Sequence, residues 1–128
     1  MAIVNTSNNE QFAGKIAKDI DLQSDKQSIN AADTYLFQVK IDNSANSAKS
    51  YVKLYDNALS LVSVGTTEPD FILPVAAEST AEYSFFPGVF FDTGLVAACV
   101  TTAGKAGSSN PSSSVIVQFL YDAADNDV

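Results

Sequence analysis

The chain has 128 residues, 46% of them hydrophobic and only 17% charged, with seven lysines set against fifteen carboxylates for a net charge of -8. It contains no histidine, arginine or tryptophan and one cysteine, Cys99, so it lacks the usual proton shuttle, the commonest metal ligand and the planar fork that grips phosphate. The length suits one domain with a single core, and the acidic balance repels nucleic acid and anionic membrane surfaces.

Residues 1–10 lack the basic and continuous apolar regions of a secretory signal, which predicts a chain made in a reducing compartment with Asn5-Thr6-Ser7 as an accidental sequon. Apolar runs such as residues 71–77 fall far short of the roughly 20 residues needed to span a bilayer, so no membrane partner is expected. A first strand is expected within residues 14–22, where Ile16, Ile20 and Leu22 alternate with polar or small neighbours. Residues 25–34 are polar apart from Ile29 and two alanines and read as irregular, leaving residues 1–34 as an N-terminal arm with that one strand.

Residues 35–42 carry the strongest strand pattern, with Tyr35, Phe37, Val39 and Ile41 on one face and Gln38, Lys40 and Asp42 on the other. After the turn-rich stretch 43–48, residues 50–56 alternate again with Val52 and Leu54 toward the core, and the two strands are expected to pair with each other. Leu59-Ser60-Leu61 suits either a short strand or a helical turn. Further strands are expected at 71–75, 81–86, 94–101 and 115–121, bounded by Gly, Pro, Asn, Asp and Ser clusters.

This spacing predicts an all-β fold, an antiparallel β-sandwich or jelly-roll-like single domain with its core over residues 35–122. Residues 103–114, rich in Gly and Ser, read as a mobile loop tip. The acidic tail 123–128 suits an arm reaching a neighbouring subunit or a frayed end.

No catalytic, cofactor or metal site emerges. Cys99 lies in the apolar run 95–100 without a histidine to generate its thiolate, which points to a buried structural thiol. Asp122, Asp125 and Asp127 lack the glycine and glutamate of an EF-hand loop. The pairs Glu78/Glu82 and Asp19/Asp21 read as surface charge, with no cleft beside them for glycoside chemistry. Gly104 and Gly107 lack the Lys-Ser/Thr ending of a phosphate loop.

The aromatic residues carry more information. Tyr83, Phe85, Phe86, Phe90 and Phe91 crowd one short window, and neighbouring strand positions point to opposite faces, so some of this area must be covered by the chain itself or by a partner. Phe86, Phe90 and Phe91, with Tyr51 and Tyr55 on one face of another strand, are therefore the candidate partner-interface residues.

The succession 51–56, Val64-Gly65-Thr66-Thr67-Glu68-Pro69-Asp70, 72–77, Phe85-Phe86-Pro87-Gly88-Val89-Phe90-Phe91-Asp92-Thr93-Gly94-Leu95 and Val115-Ile116-Val117 resembles small virion-associated proteins of tailed bacteriophages, including cyanophages. The resemblance covers about residues 50–121; it is one of strands and turns, without a catalytic motif. It implies a β-sandwich module on a capsid or tail. The expectation is a non-enzymatic decoration or cement protein on the capsid exterior, made in the host cytoplasm. Its partners would be the major capsid protein and copies of itself in a homo-oligomer, with no cofactor and no nucleic acid or membrane partner. The alternative is a tail, fibre or baseplate module that binds a host-surface glycan through Tyr51 and Tyr55.

Overall fold

The computed structural model describes residues 14–123. Eight strands follow in chain order: β1 Lys15–Asp19, β2 Gln27–Asn30, β3 Thr34–Asp42, β4 Ser50–Asp56, β5 Phe71–Val75, β6 Thr80–Phe91, β7 Leu95–Val100 and β8 Ile116–Ala123. They form two four-stranded sheets, ordered β1-β8-β3-β6 and β2-β7-β4-β5, and every pairing is antiparallel. The partners β1·β8, β2·β7, β3·β6 and β4·β5 nest inside one another along the chain. A long antiparallel ribbon rolled over itself produces this connectivity, so the sandwich has jelly-roll topology.

The core lies between the sheets. Leu36, Val39, Ile41, Val117 and Phe119 from the first sheet meet Val52, Leu54, Leu73, Leu95 and Cys99 from the second, all buried. Leu22 joins them from the connection that leaves β1, where its N–H donates to Val115 O at 3.0 Å.

Three expectations change. Strands β3 and β4 do not pair with each other: β3 sits between β6 and β8, and β4 between β5 and β7. The turn 43–49 carries the chain from one sheet to the other, held by a buried polar cluster. Asn43 Nδ2 donates to the carbonyls of Ala48 and Ala76, both at 3.0 Å, while Asn43 Oδ1 accepts from Asn46 Nδ2 and Ser50 Oγ, both at 2.9 Å. A crossover fastened this way cannot serve as a hairpin.

Residues 25–34, read as irregular, supply β2, which pairs with β7 through Gln27↔Ala97 and Ser28↔Val96. Within the expected arm of residues 1–34, then, residues 15–30 include two strands of the sandwich, while residues 1–13 lie outside the described residues.

The face of β3 also departs from simple alternation. Relative to β8, Leu36 pairs with Tyr121 and Gln38 with Leu120, leaving Phe37 as a bulge. One extra residue reverses the side-chain parity. Leu36 therefore faces the core in place of Phe37, and Tyr35 turns outward. Opposite the bulge, residues 85–88 of β6 arch between the pairs Gln38↔Ser84 and Leu36↔Val89. Gly88, at φ +132°, makes this possible: a Cβ there would stand 3.0 Å from Phe37 Cε1, so the glycine leaves room for the ring.

Candidate interaction face

The two sheets are covered unequally. In β7 all six residues are buried, as an apolar strand covered on both faces requires. Its inner residues Leu95, Ala97 and Cys99 meet the first sheet, and Val96 and Ala98 pack outward with Tyr55 and Val62 in a second cluster. That outer cluster lies beneath the connection holding the 3₁₀ turn Leu59–Leu61, which settles the form of that segment.

Residues 103–114 fasten down the rest of this surface. Lys53, with no solvent exposure, sends its ammonium to the carbonyls of Gly107 at 2.7 Å and Lys105 at 3.2 Å. Burial pushes the Lys53 pKa below its ordinary value, with Glu68 opposing. Ser113 N donates to Asn46 Oδ1 at 2.8 Å, and Ser24 N to Asn110 Oδ1 at 2.9 Å. The expected mobile tip is thus a tied-down cover, because its backbone groups satisfy a buried cation and a buried amide.

The first sheet presents its outer face without such a cover among the described residues. Side chains on that face fall in rows set by the register. One row is Lys18, Gln118, Lys40 and Glu82; the next is Ile16, Leu120, Gln38 and Ser84; beyond them Asp122, Tyr35 and Phe90 align. Polar character therefore gives way to apolar character from one end of the sheet to the other. Gln38 Nε2 donates to Glu82 Oε2 at 2.6 Å on the polar side.

At the apolar end Phe86 is 97% exposed, Ile16 64% and Phe90 47%, and the Phe90 ring lies 5.1 Å from that of Tyr35. Between Phe86 and β8 runs a trough of about 370 Å³, lined among others by Gly14, Phe37, Pro87, Leu120 and Asp122. Contiguous exposed apolar area of this kind is the form that contact surfaces and ligand grooves take.

Of the five residues expected at an interface, Phe86 and Phe90 come together on this face. Phe91 and Tyr55 are each 1% exposed and belong to the chain's own packing. Phe91 has the opposite strand parity to Phe90 and fills the core against Phe71, ring centroids 5.9 Å apart. Tyr55 stands under the outer cover of the second sheet, its hydroxyl buried without a partner, and burial raises its pKa. Tyr51 is half-buried on that same covered face, remote from Phe86 in the fold.

Pattern reading missed Tyr35, Phe37 and Leu120. The Leu120 signal was present, an apolar residue alternating with Gln118 and Asp122, whereas the outward turn of Tyr35 depends on a bulge that periodicity does not reveal.

The other chemical candidates have structural roles. Burial pushes the Cys99 thiol up to about 12, which keeps it protonated at neutral pH. Asp19 Oδ1 accepts from Asp21 N at 2.8 Å and closes the turn after β1. Glu82 lies on the open face, and Glu78 sits in the turn before β6, where its N–H donates to Asn46 O. Among the described residues no three acidic or cysteine side chains cluster to hold a metal ion; Asp125 and Asp127 lie outside the described residues. No protein-family model matches the chain, and no curated protein sequence matches it.

Proposed function

We propose that this chain is a non-catalytic virion protein of a tailed bacteriophage, a capsid decoration or cement protein that stabilises the shell by binding across capsomers. The observation that carries the reading is the unequal coverage of the sandwich. The central strands β4 and β7 of one sheet are covered on both faces, and among the described residues the other sheet leaves Phe86, Phe90, Tyr35 and Ile16 exposed on a single face. A surface of that composition is stable in solution only at a cost that association removes.

The resemblance of residues 50–121 to small virion-associated proteins names the class of partner, the major capsid protein together with further copies of this chain. Jelly rolls occur in viral shells and in lectins alike, so topology supports the reading by analogy alone. Net charge of -8 favours the outside of a DNA-filled shell over its interior. Many copies on a repeating lattice convert modest single contacts into firm attachment.

The glycan-binding alternative loses its platform, since Tyr55 is enclosed and Tyr51 half-buried. Cryo-electron microscopy of intact particles carrying the protein tests the proposal. Density over capsomer boundaries, at a copy number near that of the major capsid protein, supports it. A few copies confined to the tail overturn it.

A further inference from the structure

We propose that the outer face of the first sheet is self-complementary and joins two copies of this chain, face to face about a two-fold axis that runs parallel to the strands between β8 and β3. The inference deepens the reading above by naming a second copy as the partner of this face, and it rests on that reading only in taking the face as a contact surface. Rotation about such an axis reverses the order β1-β8-β3-β6. Strand β1 then faces β6 of the partner subunit and β8 faces its β3, while each row of side chains stays level with the same row of the other copy.

The rows match in chemistry. In the row Lys18, Gln118, Lys40 and Glu82, Lys18 stands opposite Glu82 of the partner subunit and Lys40 opposite the partner's Gln118, and each pairing occurs twice. In the row Asp122, Tyr35 and Phe90, Tyr35 stands opposite the partner's Asp122, a phenol donor facing a carboxylate acceptor. Leu120, near the axis in the row between them, supplies apolar area. An axis running across the strands exchanges the first and last of these rows instead, which sets Glu82 against Phe90 and opposes neither lysine to a carboxylate among the described residues.

Lys18, Lys40 and Glu82 are exposed, and packed sheets lie about 10 Å apart, a gap that a lysine and a glutamate reaching toward each other span. The chain's net charge of -8 sets copies against one another, and this row carries two of its seven lysines, so self-contact is least opposed here. Four strands about 4.8 Å apart and about six residues rising about 3.4 Å each give a plan of roughly 400 Å² per copy. That area lies at the low end of specific interfaces and suits a reversible dimer.

Sedimentation equilibrium of the full-length chain at low salt, over a concentration series, tests the proposal. A reversible monomer–dimer equilibrium is expected, weakened by added salt. Lys18→Glu and Glu82→Lys, made singly, each set like charges opposite one another at two places. Each is expected to weaken the dimer about tenfold, with the urea unfolding midpoint unchanged because both side chains are exposed. The two substitutions together are expected to restore the parent affinity to within about threefold. Strands β1 and β6 are opposite edges of the sheet, three strand spacings or about 14 Å apart, so recovery of this kind arises only between chains.

A monomer at every concentration overturns the proposal, as does a dimer indifferent to either substitution, or one weakened by each without recovery in the double variant. Particle location is read separately. Density over capsomers with a monomeric chain in solution sinks this inference and keeps the virion reading, and a dimer with density on the tail does the reverse.

Discussion

Single residues account for the points where the two sheets are joined. Asn43 uses both amide hydrogens and its carbonyl within a buried cluster, so its removal orphans two backbone carbonyls and two donors at once. Asn43→Ala is expected to cost about 3 kcal/mol, read from the urea midpoint, since each unmet buried group costs roughly 1–3 kcal/mol less whatever water recovers. Tyr55 is the reverse case. Its hydroxyl is buried without a partner, so Tyr55→Phe keeps the ring, drops the uncompensated group, and should leave stability unchanged or raised by about 1 kcal/mol in the same assay.

Cys99 sets an alkaline limit. The folded thiol ionises at about 12 against an ordinary 9.0, so between these values the unfolded chain sheds a proton that the folded chain retains. Stability from this group is complete below the lower value and is lost as pH rises toward the upper one. Urea titrations across that range should show a shallower alkaline decline in Cys99→Ala than in the parent chain, whatever packing the substitution loses at neutral pH. An equal slope in both would show that the thiol plays no part.

Among the elements, the informative contrast is between β7 and β3. The run Leu95–Val100 has no polar alternation, and its burial on both faces follows directly. Strand β3 alternates cleanly in sequence yet reverses its faces at Phe37, because neighbouring strands dictate where an extra residue is absorbed. Pro74 in the edge strand β5 and the arched residues 85–88 in the edge strand β6 interrupt the outer ladders of those two strands.

The cover formed by residues 103–114 is the element most dependent on one side chain. The Lys105 carbonyl, part of the bond that trypsin would cut, is held by Lys53. Lys53→Met should make the Lys105–Ala106 bond markedly more sensitive to limited trypsin digestion, with the fragments identified by mass spectrometry. Unchanged resistance would mean that the bonds to Asn46 and Asn110 suffice.

For the whole molecule, asymmetry is the main result. Among the described residues the second sheet's central strands are covered on both faces while the first sheet keeps an apolar end exposed, so exposed rings there can be altered with little effect on the core. Phe86→Ser is expected to change unfolding free energy by no more than about 1 kcal/mol, because Phe86 is 97% exposed. On the proposed capsid role, co-sedimentation with shells should fall by about tenfold or more, as truncating anchor aromatics does. A large loss of stability with binding intact would identify the Phe86 ring as part of the fold.

The sequence by itself determined the all-β class, the existence and approximate limits of seven strands, the inward direction of Val52 and Leu54, and the burial of Cys99. Each depends on local alternation or on an unbroken apolar run, which a single segment carries whatever its neighbours do. Only the tertiary structure decided that β3 and β4 belong to different sheets, that residues 103–114 are tied down and that Phe91 and Tyr55 turn inward. Strand partnership depends on groups distant in the chain, here Asn43, Lys53 and the bulge at Phe37. A bulge moves side chains to the opposite face without altering the composition or periodicity on either side of it. The exposed face is visible for the same reason: exposure is a property of what the rest of the described residues leave uncovered.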